Sequence, residues 1–433
     1  MPHQQSSFPV LNKITSPQVF YFLCLIFVGG LVFSRALLNL VPILMVLLAF
    51  SRGTFDENLK ALKNNTPALL LLAIYGLFLI SFVYTEDTAK WLWFSTRYMP
   101  LLLLPLAFGV MPVLSNKQVN NILFTFSLLT TVITVGTLIK YFLNYEAYNQ
   151  AISQSDSLQP VLGIFHIYFG LMMALAIIFC LDIYKKPHFI GHPPLRYMAL
   201  FCIVLNFIAL HILAYRTGLL ALYVALLWQV VFFIRTKKKY LMGLGLLVLI
   251  MGTPVIAFYS LESVQRRVEN TKTDISRYVE HQDINHYSIA QRFAAWETGL
   301  AVFKSHWLLG VGLADVNNEI RRQYNIKDFG LIKENQVGIH NQYLQIAVGL
   351  GLVGLLVFLA GLIYPFLKQT WQNDTLTKSF IICIAVAMFV ENFSQRQLGL
   401  NLYVFFYGLL VIMKQKRMPE EKTPDKALTK LSA

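Results

Sequence analysis

Charged residues are scarce in this chain: Asp, Glu, Lys and Arg make up 13% of its 433 residues, where a soluble globular protein carries about 25%. With 56% apolar residues and a mean hydropathy of +0.56, too little polar surface remains to cover a globule in water. That excludes an ordinary soluble enzyme, and equally a disordered chain. Cysteine is also scarce. The four present, Cys24, Cys180, Cys202 and Cys383, all fall in apolar runs, so the polar parts hold neither a disulfide framework nor a zinc pattern. No repeat of fixed period and no low-complexity tract occurs. The first apolar run ends at Ser34-Arg35 without a small-x-small cleavage site and is expected to be retained as a first span. Acidic residues number 22 against 36 basic ones, a formal charge of +14 that fits nucleic acid, anionic lipid or a membrane-topology signal until the charges are placed.

What the chain has in abundance is long apolar runs. A span needs about 20 mostly apolar residues, fewer where flanking side chains snorkel. Twelve runs qualify, at 17–34, 36–51, 66–84, 92–113, 119–143, 161–182, 197–214, 217–234, 240–259, 341–367, 379–395 and 399–414; the first two could instead be one helical hairpin. With the amino terminus in the cytoplasm, twenty basic residues fall in cytosolic segments. Short outer segments hold six: Arg35, Lys90, Arg97, Lys140, Arg216 and Arg396. This is the positive-inside asymmetry, and it predicts that both termini are cytoplasmic. The long polar stretch at 260–339, outside the cytoplasm by this count, carries ten basic and ten acidic residues. The charge excess is therefore a topology signal and not a nucleic-acid footprint. The predicted fold is an all-α polytopic membrane protein of about 12 transmembrane helices with one long, partly helical loop between spans 9 and 10. The expected units are a membrane domain at 1–259, the loop module at 260–339, a second membrane part at 340–414 and a cytoplasmic tail at 415–433. Within the loop, helical patterns fall around 261–280, 288–304 and 313–324, with a Gly-rich turn at Gly310-Val311-Gly312; a smaller outer loop lies at 145–160.

Candidate chemistry gathers at the outer ends of the spans. His340 stands where the long loop meets span ten, at a helix start whose free N–H groups favour an anion and keep a basic imidazole neutral; an interfacial His with Asn341 as helix cap is the plainer reading. Arg216, in the short turn between spans seven and eight, can offer a bidentate fork to a phosphate or simply snorkel to lipid headgroups. Arg292 shares a helix face with Trp296, one turn on, and either lowers the loop onto an anionic group or makes only an Arg–Trp stack or an Arg–Glu pair. Glu391, within span eleven, reads as an internal partner of Arg396, with Asn392 and Gln397 beside them. His166 and Tyr168, at the outer start of span six, line the same region or are interfacial aromatics. His281, Asp283 and His286 form a loose triplet that matches no strong metal motif.

Four segments in fixed order carry a family resemblance: Tyr215-Arg216-Thr217-Gly218-Leu219-Leu220-Ala221, Arg292-x-x-x-Trp296, Leu308-Leu309-Gly310-Val311-Gly312 and His340-Asn341-Gln342-Tyr343-Leu344-Gln345. The series resembles the O-antigen ligase and polymerase family of bacterial inner-membrane glycosyltransferases, most strongly over 200–365, with Trp307 where the family often has proline. The resemblance implies a twelve-span enzyme that takes a glycan from undecaprenyl diphosphate at the periplasmic face. The acceptor is the lipid A-core in ligases, another lipid-linked repeat unit in polymerases, and a protein in a further branch. By motif, Arg216 and Arg292 resemble the family's essential arginines and His340 its essential histidine. Asn341, Gln342, Trp296, His166, Glu391 and Arg396 are expected to contribute to substrate binding. No cofactor and no metal are implied, and no Asp-x-Asp-type motif is present. Ligase is the favoured branch. A lipid-linked glycan flippase or transporter is the competing class, although such proteins show mid-bilayer charges and matched broken helices that are missing here.

Overall fold

The computed structural model describes residues 17–51, 53–153 and 158–417. Lys13, Arg52, the centre of the loop expected at 145–160 and the tail from residue 418 lie outside the described residues. Every described secondary-structure element is helical. The first half of the chain forms α1 (Pro17–Phe33), α2 (Arg35–Phe50), α3 (Phe55–Lys63), α4 (Thr66–Ile80), α5 (Thr88–Arg97), α6 (Pro100–Val110), α7 (Asn116–Leu143) and α8 (Tyr145–Ser153). Then come α9 (His166–Ile183), the single turn α10 (Pro187–Ile190), α11 (Pro193–Ile212), α12 (Arg216–Lys237) and α13 (Tyr240–Ser260). The polar stretch holds α14 (Glu262–Val279), α15 (Ser288–Ser305) and α16 (Val316–Ile326). The chain returns to apolar sequence in α17 (Gln342–Leu367), α18 (Thr375–Val390) and α19 (Gln397–Tyr407).

Among the described residues, eight helices are long and apolar enough to cross a bilayer, against the twelve spans expected. Of the other four runs, α1 and α18 are apolar but only 17 and 16 residues long. α2 qualifies only when joined to α3 across a 113° bend. The run expected at 92–113 is divided: α5 ends at Arg97 and Pro100, which has no N–H to give, opens α6. α1 and α2 are separate helices, Ser34 capping the second by accepting from the Leu37 N–H. The polar segment beginning at 145 is itself partly helical, as α8.

At the centre stands α9, whose sequence is apolar on every face and which is buried along almost its whole length against α7, α11, α12 and α18. α13 is the opposite case, with most of its apolar surface left facing outward. The loop helices fall where the sequence spacing puts them. They enclose a second core of Ile284, Ala294, Val316, Ile320, Tyr324 and Ile339, which reaches Val348 of α17.

The helix α17 is broken within its length. Gly351, at φ 65° and ψ −165°, interrupts α17 in a conformation open essentially to glycine alone. The carbonyls freed by the break accept from the loop: Val311 N–H bonds Val348 O and Gly312 N–H bonds Gly349 O, both at 2.9 Å. In return the Leu352 N–H donates to Trp307 O at 2.7 Å. The Leu-Leu-Gly-Val-Gly turn thus repairs the helix it leans on.

Candidate functional site

A cavity of about 490 Å³ opens where α9 and α12 begin, where α18 ends and where the chain enters α17; α15 lies over it. His166, Arg216, Arg292, Trp296 and His340 all line it. Five residues separated by as much as 174 positions in sequence are thereby brought to one volume at one end of the helical bundle.

Arg216 is the first residue of α12. A cation at the positive end of a helix dipole is an unfavourable placement by about 0.3–1 kcal/mol, which an anionic ligand would reverse. Two residues on, Gly218 lets α12 touch α9: a Cβ there would lie 2.4 Å from Gly170 O. Among the described residues the Arg216 guanidinium makes one hydrogen bond, Nη1 donating to Thr271 Oγ1 of α14 at 3.0 Å. Three residues further along that helix, Asp274 is buried. Its Oδ2 accepts from the Ile289 N–H at 2.7 Å, and its Oδ1 has no partner among the described residues. Burial raises the Asp274 pKa against the pull of that backbone bond and of Arg216 and Arg292. Arg292 makes no ion pair among the described residues. Burial lowers its pKa while Glu391 and Asp274 act to raise it; as an arginine it stays charged. Arg267, buried on α14, adds a third guanidinium whose charge is felt at His166.

His340 adopts φ 45°, a left-handed conformation rare outside glycine, asparagine, aspartate and histidine. Its neighbours fix it there. Ile339 O accepts from Trp296 Nε1 at 2.8 Å, Tyr324 donates to Val337 O at 3.2 Å, and Asn341 caps α17 by accepting from the Leu344 N–H at 3.0 Å. The imidazole Nδ1 lies 3.3 and 3.4 Å from the two carboxylate oxygens of Glu391. Glu391 is buried, and its Oε1 also accepts from the Asn392 N–H at 3.0 Å. An Nδ1–H donating to a carboxylate leaves Nε2 with its lone pair free, the arrangement a general base requires.

The sequence reading is corrected here at two points. Glu391 does not sit within a span: α18 ends at Val390, and Glu391 takes an extended conformation as the chain turns through Asn392 and Ser394. Nor does it pair with Arg396, which instead stacks over Phe165 at 5.0 Å. Asn341 and Gln342 stay outside the cavity lining, the Gln342 Oε1 accepting from the Ser394 N–H at 2.8 Å. Tyr168 donates to Asn392 O at 3.2 Å and so braces the Glu391 turn. His281, Asp283 and His286 do not converge into a group able to hold an ion. Arg267 and Asp274 are additions that sequence reasoning missed. Their one signal is spacing, since Arg267, Thr271 and Asp274 recur at i, i+4 and i+7 on one face of α14.

Comparison with known proteins bears on this geometry. A family model described as O-antigen ligase matches residues 201–359, a segment that contains Arg216, Arg292, Trp296 and His340 but not His166 or Glu391. An uncharacterized protein of Haemophilus influenzae is 32% identical over 125 residues. That alignment covers 28% of this chain and 30% of the Haemophilus protein.

Proposed function

From the premise that residues 201–359 are an O-antigen ligase family segment, we propose that the chain is a glycosyltransferase that moves a glycan from undecaprenyl diphosphate to the lipid A-core. In this reading the enzyme is a twelve-span protein of the bacterial inner membrane with both termini cytoplasmic, and its cavity faces the periplasm. The observation that carries the reading is the convergence of a carboxylate-held imidazole with two guanidinium groups, those of Arg216 and Arg292, in one cavity.

The chemistry follows from what each group can do. An acceptor hydroxyl attacks the anomeric carbon of the donor. As the new C–O bond forms, the bond from that carbon to the diphosphate oxygen breaks, and its electron pair leaves with the diphosphate. His340 Nε2 takes the hydroxyl proton, Glu391 stabilising the imidazolium that results. Arg216 and Arg292 face the leaving group and stabilise its growing charge more in the transition state than in the ground state. Direct displacement inverts the anomeric carbon, in contrast to a two-carboxylate retaining mechanism. No metal is needed in this scheme, the guanidinium groups standing where a cation would.

Reconstitution tests the reading. Purified protein given a lipid-linked glycan and lipid A-core should release undecaprenyl diphosphate and elongate the acceptor, whereas movement of intact donor across liposomes without cleavage would identify a transporter. In a deletion strain, loss of all long glycan from the lipopolysaccharide while lipid-linked polymer accumulates supports the ligase reading. A single repeat unit left on the core would point instead to a polymerase.

A further inference from the structure

A second cavity of about 470 Å³ lies between α2, α5, α6 and the start of α19, outside the His340 site. Its polar mouth carries Arg35, Arg97, Asn39, Thr96 and Gln397, and its wall continues into the apolar Pro42, Ile43 and Leu103. Arg396 stands between the two cavities. It stacks on Phe165, which lines the His340 cavity, while the next residue, Gln397, lines this one and donates to Asn39. The charges of Arg35 and Arg396 both bear on Arg97. Among the described residues no carboxylate forms an ion pair with any of the three.

Like charges gathered without a counter-ion are costly beside a bilayer. Arg35 and Arg396 are exposed and escape the cost by reaching water. Arg97 does not: it is half-buried, packed 4.6 Å over the Trp93 ring, and its Nε is buried with no hydrogen-bond partner. Guanidinium groups with no carboxylate partner among the described residues, lining a polar mouth above an apolar wall, match a ligand with a phosphate at one end and hydrocarbon at the other. We infer that this cavity binds a lipid through its phosphate group, next to the His340 site. Such binding needs no glycosyl transfer, so its test stands apart from that of the proposed function.

Equilibrium dialysis of the full-length protein in detergent, with radiolabelled short-chain phosphatidic acid, decides it. Arg97→Gln should lose one bound lipid per chain, or weaken that class at least tenfold, while Arg97→Lys loses less. Diacylglycerol with the same chains should bind at least tenfold more weakly. Should Arg97→Gln fail to fold, the exposed pair Arg35→Gln with Arg396→Gln carries the same expectation. Wild-type binding by folded variants overturns the proposal. Equal affinity for inorganic phosphate also overturns it, making this a free-anion site and not a lipid site.

Discussion

His340 combines two demands that few residues meet together: a left-handed backbone and a side chain able to accept a proton. Asparagine meets only the first, since it tolerates the conformation but offers no base. His340→Asn should therefore keep a melting temperature close to that of the wild type while kcat falls roughly 10²–10⁴-fold. A variant that melts normally and still turns over would remove His340 from the proton-transfer role. Asp274 gives a pH prediction. Its folded pKa lies above the ordinary 3.8 because the carboxylate is buried. A group with a raised folded pKa contributes stability at pH values below its unfolded pKa and loses it as pH rises through the folded value. Measured against Asp274→Asn, which cannot titrate, the wild-type protein should thus lose melting temperature as pH rises from about 4; the opposite slope would mean that Arg216 and Arg292 dominate over burial. Arg216, Arg292 and His340 were legible in the sequence because each sits in a recognisable local motif. Asp274 and Arg267 were not. α14 is rich in charge along its whole length, and nothing in the sequence marks which face the rest of the protein covers.

Among the elements, α12 is held in place by a contact rather than by its own composition. Gly218 and Gly170 allow α12 and α9 to approach backbone to backbone, and Arg216 lies two residues before that contact. Gly218→Ala should force the two helices apart. Its signature would be a kcat reduced about 10²-fold, the size expected when a catalytic group moves by an ångström; unchanged kcat would show that the guanidinium position does not depend on this contact. The helices themselves were largely readable, since a continuous apolar run marks the core helix α9 and helical spacing marks the three helices of the polar stretch. Their ends were less so. An apolar run conceals the turn at Glu391, where the stop comes from hydrogen bonds around Asn392 and Ser394, and it conceals the division between α5 and α6 at Pro100.

At the scale of the molecule, the polar and basic ends of the bundle define an orientation that chemical labelling can measure. The native cysteines are all buried and should stay silent toward a membrane-impermeant maleimide. Glu334→Cys, in the exposed loop before His340, should label in spheroplasts. Lys238→Cys, in the basic turn after α12, should label only after permeabilisation. Reversed accessibility would place the His340 cavity in the cytoplasm and defeat a periplasmic transfer. The number of spans was the least legible property. Short helices such as α1 and α18 are apolar, so hydropathy counts them as spans, but at 17 and 16 residues they are shorter than the other apolar helices.

The break at Gly351 reaches beyond stability. Because residues 307–312 complete the hydrogen bonding of α17, the turn and the first half of that helix form one exchangeable cassette. A chimera built to transplant the loop of a relative, for instance to alter acceptor choice, should fail if its junction is cut at His340, and should assemble if residues 342–353 travel with the loop.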